Sequence, residues 1–239
     1  MSYYAGKHAL VTGGGSGIGA AIAKVLKDKG SIVTILGRNA EKLAEKVSEL
    51  DVSFAVADVT DREQVDRVFS VAVGERGPID ILINNAGVSV GGAIAEEDFE
   101  DLWRATFAVN LDAQMRLIRA CLADLKRNQD GRIVNIASTE GLGGSAKISP
   151  YTASKHGVVG LTKALAVELG PLGVTVNAVC PGPIHTGMTE KIPLDAKETF
   201  ARRRTALKRF GNPEEVAHIT LSLVLPSASY ITGAAIPVD

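Results

Sequence analysis

Short continuous apolar runs alternate along this chain with longer segments in which apolar residues recur every three or four positions. The first run, His8-Ala-Leu-Val-Thr12, reads as a strand, and residues 17–29 read as a helix with Ile18, Ala21, Ile22, Val25 and Leu26 on one face. The alternation repeats. A strand at 32–36 precedes a helix through Leu43, Val47 and Leu50, and a strand at 54–57 precedes a helix through Val65, Val68 and Phe69. Further strands are predicted at 79–83, 132–137, 174–179 and 234–238. A strand that is apolar along its length is buried on both faces, as in a parallel sheet covered by helices. Right-handed crossovers then make the sheet doubly wound. The pattern predicts an α/β fold: a Rossmann-type doubly wound parallel sheet of about seven strands with helices on both faces. No linker, repeat or low-complexity tract interrupts it, so residues 1–239 read as one domain. The least regular stretch carries Pro181, Pro183 and Pro193 and then a short charged helix at 196–208. A late insertion of this kind, at about 183–209, is a natural substrate lid.

The first strand runs into Thr12-Gly-Gly-Gly-Ser-Gly-Ile-Gly19. A glycine-rich turn between strand and helix lets backbone amides approach a pyrophosphate, and the helix N-terminus favours the negative charge. Gly13, Gly15, Ser16, Gly17, Ile18 and Gly19 are therefore candidate dinucleotide contacts, with a glycine spacing one residue off the usual fingerprint. Glycines serving only a tight turn are the ordinary alternative. The second strand ends in Gly37-Arg38-Asn39 with no acid at 36–39. An acid there accepts the ribose hydroxyls of NAD, whereas an arginine accommodates a 2′-phosphate, so Arg38 favours NADP(H) over NAD(H). Asp58 and Val59, ending the third strand, are placed to contact adenine; Asp58 could equally be an acid at a helix start.

Tyr151 and Lys155 lie four residues apart, with Ser138 upstream at the end of a strand. Positions i and i+4 of a helix share a face, about 6 Å apart along the axis. A free phenol titrates near ~10, and a fixed positive charge nearby favours the phenolate. The pair can thus turn a poor proton donor into a useful acid and base. Alone it would be a surface coincidence.

The bulk composition narrows the partners. Lys plus Arg number 26 and Asp plus Glu 27, a balance that does not suit nucleic acid or an anionic membrane. No stretch is long and apolar enough to span a bilayer, and no secretory signal is seen. Cys121 and Cys180 lack metal-ligand spacing, so no metal is expected, and two distant cysteines suit a reducing, cytoplasmic setting.

With Asn84-Asn-Ala-Gly87, Phe107-Ala-Val-Asn110, Ser138, Tyr151-x-x-x-Lys155 and Pro181-Gly182 all in order, the chain resembles a short-chain dehydrogenase/reductase of the ~250-residue type along essentially its whole length. The blocks Gly131-Arg-Ile-Val-Asn-Ile-Ala-Ser138 and Tyr151-Thr-Ala-Ser-Lys-His-Gly-Val-Val-Gly160 look closest to 3-oxoacyl thioester and polyketide ketoreductases. The resemblance implies Tyr151 as general acid in reduction and base in oxidation. It implies Lys155 lowering the Tyr151 pKa and holding the nicotinamide ribose, and Ser138 bonding the substrate carbonyl. Asn110 would hold a water in a proton relay to Lys155. Asn85, Ala86 and Gly87 would line the adenosine-ribose side. Pro181, Gly182, Ile184 and Thr186 would meet the nicotinamide end, Thr186 at its carboxamide. A homotetramer or homodimer is implied too.

Substrate choice should fall to residues 88–95, 140–150 and the lid. Segments 88–95 and 141–146 are small and apolar, which suits a moderately apolar ketone or its alcohol. Ser138, Tyr151 and His185 are the candidate substrate contacts, His185 being equally readable as an exposed lid residue. His156 and Trp103 read as packing residues. Arg202, Arg203, Arg204, Lys208 and Arg209 could attract an acidic carrier protein or coenzyme A, or could form a solvated helix face. The main expectation is an NADP(H)-dependent ketoreductase. An NAD-linked secondary alcohol dehydrogenase and, remotely, a non-catalytic nucleotide sensor on the same fold are the alternatives.

Overall fold

The computed structural model describes residues 3–239. Seven strands form one parallel sheet: β1 (His8–Thr12), β2 (Ile32–Gly37), β3 (Ser53–Val56), β4 (Ile81–Asn84), β5 (Arg132–Ile136), β6 (Thr175–Pro181) and β7 (Ala235–Val238). Their order is β3-β2-β1-β4-β5-β6-β7, every neighbouring pair parallel. The helices are α1 (Gly17–Asp28), α2 (Ala40–Leu50), α3 (Arg62–Arg76), α4 (Phe99–Phe107), α5 (Ala113–Lys126), α6 (Ser149–Leu169), α7 (Gly187–Glu190), α8 (Leu194–Arg204) and α9 (Pro213–Leu223). The expected doubly wound architecture is present.

Alternation along each strand builds two cores. Ala9, Val11, Val33, Ile35, Ile81 and Ile83 meet α1, α2 and α9 on one face, through Ile22, Leu26, Leu43 and Val216. Leu10, Leu36, Leu82, Ile133 and Val176 meet α3, α5 and α6 on the other, through Val65, Leu117, Ile118 and Leu169. Strand order reverses between β1 and β4, and at such a point the loops at the carboxyl ends leave a crevice for ligands. A polar thread ties this crevice to α6. Asn84 Nδ2 donates to Asn135 Oδ1 at 2.9 Å, and Asn135 Nδ2 donates to Thr162 Oγ1 at 2.9 Å, all buried. Each bond satisfies a donor that burial would otherwise penalise.

Three sequence expectations need correction. The strand expected at 79–83 is Ile81–Asn84, because the Ile79 N–H is taken by Asp124 Oδ2 at 3.0 Å. The charged helix expected at 196–208 runs Leu194–Arg204. It ends where Thr205 turns extended and bonds back to the Ala201 carbonyl, at 3.0 Å. The proline-rich loop before it contains the four-residue α7. Among the described residues no helix is long and apolar enough to cross a membrane, and no cluster of His, Cys, Asp or Glu could hold a metal ion.

Candidate active site

The glycine turn is built around bonds from the β4 end. Asn85 Nδ2 donates to the Thr12 carbonyl at 2.9 Å, and the Asn85 and Ala86 N–H groups both donate to Thr12 Oγ1 at 2.9 Å. Gly13 and Gly17 sit at φ +65° and +52°, where a side chain would be strained. Gly19 has no room for a Cβ: one would run into the Gly13 carbonyl oxygen and lie 2.5 Å from Asn85 Nδ2. The result is a side-chain-free concavity at the start of the twelve-residue α1, whose Ser16 makes no side-chain cap and whose first turn has no acid. Free N–H groups and a positive helix end suit a pyrophosphate. Thr186 closes the far side, its Cγ2 3.1 Å from where a Gly17 Cβ would stand. So the β1, β4 and β6 loops converge as expected, and the residues present fit a dinucleotide.

At the adenosine end, Arg38 projects into solvent and pairs with Asp58 Oδ2 at 3.7 Å. Asp58 is fixed in turn by the Thr60 N–H at 2.9 Å and the Thr60 hydroxyl at 2.8 Å, and these bonds hold its carboxyl below the usual range despite partial burial. Val59 beside it is buried in the core. Lys42 was not anticipated. Its Cβ lies 3.7 Å from where a Gly15 Cβ would be, so the stem of a lysine flanks the glycine turn.

The other end of the crevice holds the titratable groups. Tyr151 and Lys155 lie on the first turns of α6, where Pro150 suits the missing intrahelical N–H bonds. Lys155 is fully buried and its Nζ donates to the Ile136 carbonyl at 2.8 Å. The same Nζ is 5.6 Å from the Tyr151 ring centre and 3.6 Å from where a Gly87 Cβ would be. Burial lowers the Lys155 pKa to about 8, with Cys180 pulling weakly the other way. The expected lowering of the Tyr151 pKa is not what the chain alone produces. Burial raises it and the Glu140 charge adds to the rise, while the Ser138 hydroxyl, hydrogen-bonded to the phenol, lowers it. Burial is the largest cause, and the Lys155 ammonium is hydrogen-bonded to a backbone carbonyl.

Asn110 is buried beside the catalytic-end residues. It sits in a five-residue π-turn, Ala108–Asp112, between α4 and α5. Its Oδ1 accepts the Val88 N–H at 2.9 Å, and its Nδ2 donates to the Val88 carbonyl and to Ser154 Oγ, each at 3.0 Å. Both amide hydrogens are therefore committed, and the side chain acts as a clamp between the β4 loop and α6. Such π-turns recur at functional sites because one inserted residue redirects a side chain.

The family model described as short chain dehydrogenase matches residues 7–197. This chain belongs to that family. It is 39% identical to the 3-oxoacyl-acyl-carrier-protein reductase FabG of Thermotoga maritima, over 98% of this chain and 96% of that protein. It is 37% identical to the meso-2,3-butanediol dehydrogenase of Serratia marcescens, over 98% of this chain and 93% of that protein. A crystal structure of an actinorhodin polyketide ketoreductase variant with NADPH superposes with TM-score 0.90 at 38% identity, covering 97% of this chain and 95% of that one. As a short-chain dehydrogenase/reductase, the chain is an oxidoreductase of the CH–OH/C=O couple.

On the substrate side, this short-chain dehydrogenase does not bring every predicted residue together. His185 is exposed and packs on Phe210 at 5.4 Å between ring centres, its N–H held by the Gly211 carbonyl. Ile184 is buried and Gly182 lies against Asp239, so both shape the loop from beneath. His156, expected to pack, is exposed, with Nδ1 3.0 Å from the Thr152 carbonyl. Trp103 stacks on Phe107 at 4.5 Å, away from the crevice. The cations of segment 202–209 are mostly engaged: Arg209 with Glu215 at 2.6 Å, Arg202 near Glu198 at 3.8 Å, and Arg204 with Ser145 Oγ at 3.1 Å.

Because a Cβ at Gly19 has nowhere to go, Gly19→Ala should weaken dinucleotide binding at least ~10-fold while the protein still folds. Fluorescence titration with NADPH, alongside circular dichroism, measures both; unchanged affinity would show that the turn is not the cradle.

Proposed function

We propose that this short-chain dehydrogenase/reductase reduces a ketone to a secondary alcohol with NADP(H), and that the ketone is a 3-oxoacyl thioester or a close relative. The observation that carries the reading is the meeting of Ser138, Tyr151 and buried Lys155 on the same sheet edge as the glycine cradle. The NADPH in the solved ketoreductase and the substrate named for the FabG relative support cofactor and substrate class. The residues fit such a cofactor: Gly13 to Gly19 would take the pyrophosphate, Arg38 and Lys42 the 2′-phosphate, and Thr186 the nicotinamide end. When bound, it supplies the hydride.

The chain's own residues supply the proton and the electrostatics. Tyr151 gives its phenolic proton to the substrate oxygen as the C=O becomes C–OH. Ser138 donates to the same oxygen and stabilises the charge developing there. Lys155 provides a positive charge within the site, made stronger by the water-poor surroundings. A phenol held above its ordinary value stays protonated at neutral pH, the form reduction needs. Oxidation needs the phenolate, so its rate should climb as pH rises.

An NAD-linked secondary alcohol dehydrogenase is the second reading. The likeness to the butanediol enzyme favours it, as does Asp58, which holds Arg38 beside an acid at the adenosine end.

Steady-state assays on a panel of ketones should give NADPH oxidation that falls at least ~100-fold in Tyr151→Phe, the range typical of general acid–base loss. Arg38→Glu should weaken NADPH much more than NADH. Activity surviving in Tyr151→Phe would overturn the mechanism. An Arg38 variant with unaltered cofactor preference would overturn the cofactor assignment.

A further inference from the structure

Glu140 follows the catalytic serine by two residues and lies in a loop otherwise made of small groups, Gly141-Leu-Gly-Gly-Ser-Ala146. An acid in such a loop ordinarily points into water. Here it is half-buried, and hydroxyls from the loop and from α6 bond its carboxylate. Its N–H donates to Ser138 Oγ at 3.1 Å. One carboxylate oxygen accepts the Ser145 hydroxyl at 2.6 Å, and the other accepts the Thr152 hydroxyl at 3.0 Å. Thr152 is the neighbour of Tyr151 on α6. Ser145 in turn accepts from the lid residue Arg204 at 3.1 Å.

We infer that Glu140 is a positioning residue, fastening the serine turn, the first turn of α6 and the lid helix α8 into one register around the substrate oxygen. The inference rests on the reading of Tyr151 and Ser138 as the acid and the carbonyl donor. The logic starts with the serine. A hydroxyl has one hydrogen to give. With a lone pair of Ser138 Oγ filled by the Glu140 N–H, that one hydrogen is left for the phenol or, in its place, the substrate oxygen. The carboxylate does the rest. Ionised, it accepts only, and two hydroxyls from opposite ends of the loop satisfy it. Gly143 and Gly144 would otherwise leave the loop tip with many conformations to lose on substrate binding. The tip instead folds onto α6, with Thr152 Cγ2 3.8 Å from where a Gly144 Cβ would be.

The clamp also sets charge beside the acid. The charged groups facing Tyr151 are Glu140 from the turn and Lys155 from its own helix. Cys180 on β6 faces Lys155, His185 of the lid is stacked on Phe210, and Arg204 ends on Ser145. The Glu140 charge raises the Tyr151 pKa. Glu140→Gln keeps the shape and one acceptor but removes the charge, so Tyr151 should ionise at lower pH. In the reduction direction the alkaline limb of the kcat profile then moves to lower pH.

The test is a pH profile of ketone reduction by the intact enzyme, with NADPH affinity measured separately by fluorescence. Glu140→Gln should move the alkaline limb to lower pH and raise the ketone KM roughly 2- to 10-fold, the range of one lost hydrogen bond, with NADPH affinity unchanged. Ser145→Ala, which breaks the lid link and keeps the charge, should raise KM and leave the limb in place; it also serves if Glu140→Gln does not fold. A folded Glu140→Gln whose limb and KM both match wild type would overturn the inference, as would Ser145→Ala with an unchanged KM. Activity in Tyr151→Phe would instead remove the reading beneath it, a distinguishable failure.

Discussion

The site depends on one buried hydrogen bond, from the Lys155 ammonium to the Ile136 carbonyl at the end of β5. A charge in the protein interior is expensive unless it is well bonded. Keeping it there constrains everything nearby. Gly141 must be glycine-sized, because a Cβ would lie 2.7 Å from the Lys155 carbonyl oxygen. Gly157 must admit Leu111 of the π-turn, 2.8 Å from where its own Cβ would be. The Asn110 clamp then holds the β4 loop against Ser154, the residue before Lys155. Helix α6 is thus seated by close approaches on three sides, and Tyr151 is aimed by that seating.

The two ends of the crevice differ in their electrostatics for the same structural reason. At the glycine turn, bare backbone and a helix N-terminus offer partial positive charge without any ionised side chain. At the catalytic end, one full positive charge is enclosed where water is scarce. That enclosure has a thermodynamic sign. Below about 8 both folded and unfolded forms carry the lysine charge, so its burial cost is fully present. The cost is relieved as pH rises from there toward the ordinary lysine value, because the unfolded state then binds more protons than the folded one. Stability is given up at neutral pH to keep this charge buried.

Much of this was legible in the sequence because it is local. Apolar runs in alternation specify a covered parallel sheet, and the glycine turn and the Tyr151, Lys155 pair lie within single elements. What escaped is long-range or breaks a period. The π-turn at 108–112 reads on as ordinary helix, since one inserted residue leaves no compositional mark. The engagement of Asn110 with Val88 and the capture of Arg38 by Asp58 join residues distant in the chain. The lid cations read as a free patch because Glu215 and Ser145 come from other elements. The rise of the Tyr151 pKa comes mainly from burial, a tertiary property that the spacing of two residues on one helix does not carry.

The central claim is that Lys155 is held as a buried, hydrogen-bonded ammonium. The direct measurement is an NMR pH titration of the lysine side-chain nitrogens, with the Lys155 signal assigned by its loss in Lys155→Met. The account predicts that Lys155 titrates near about 8. A Lys155 that titrates with the exposed lysines, near ~10.4, would contradict it.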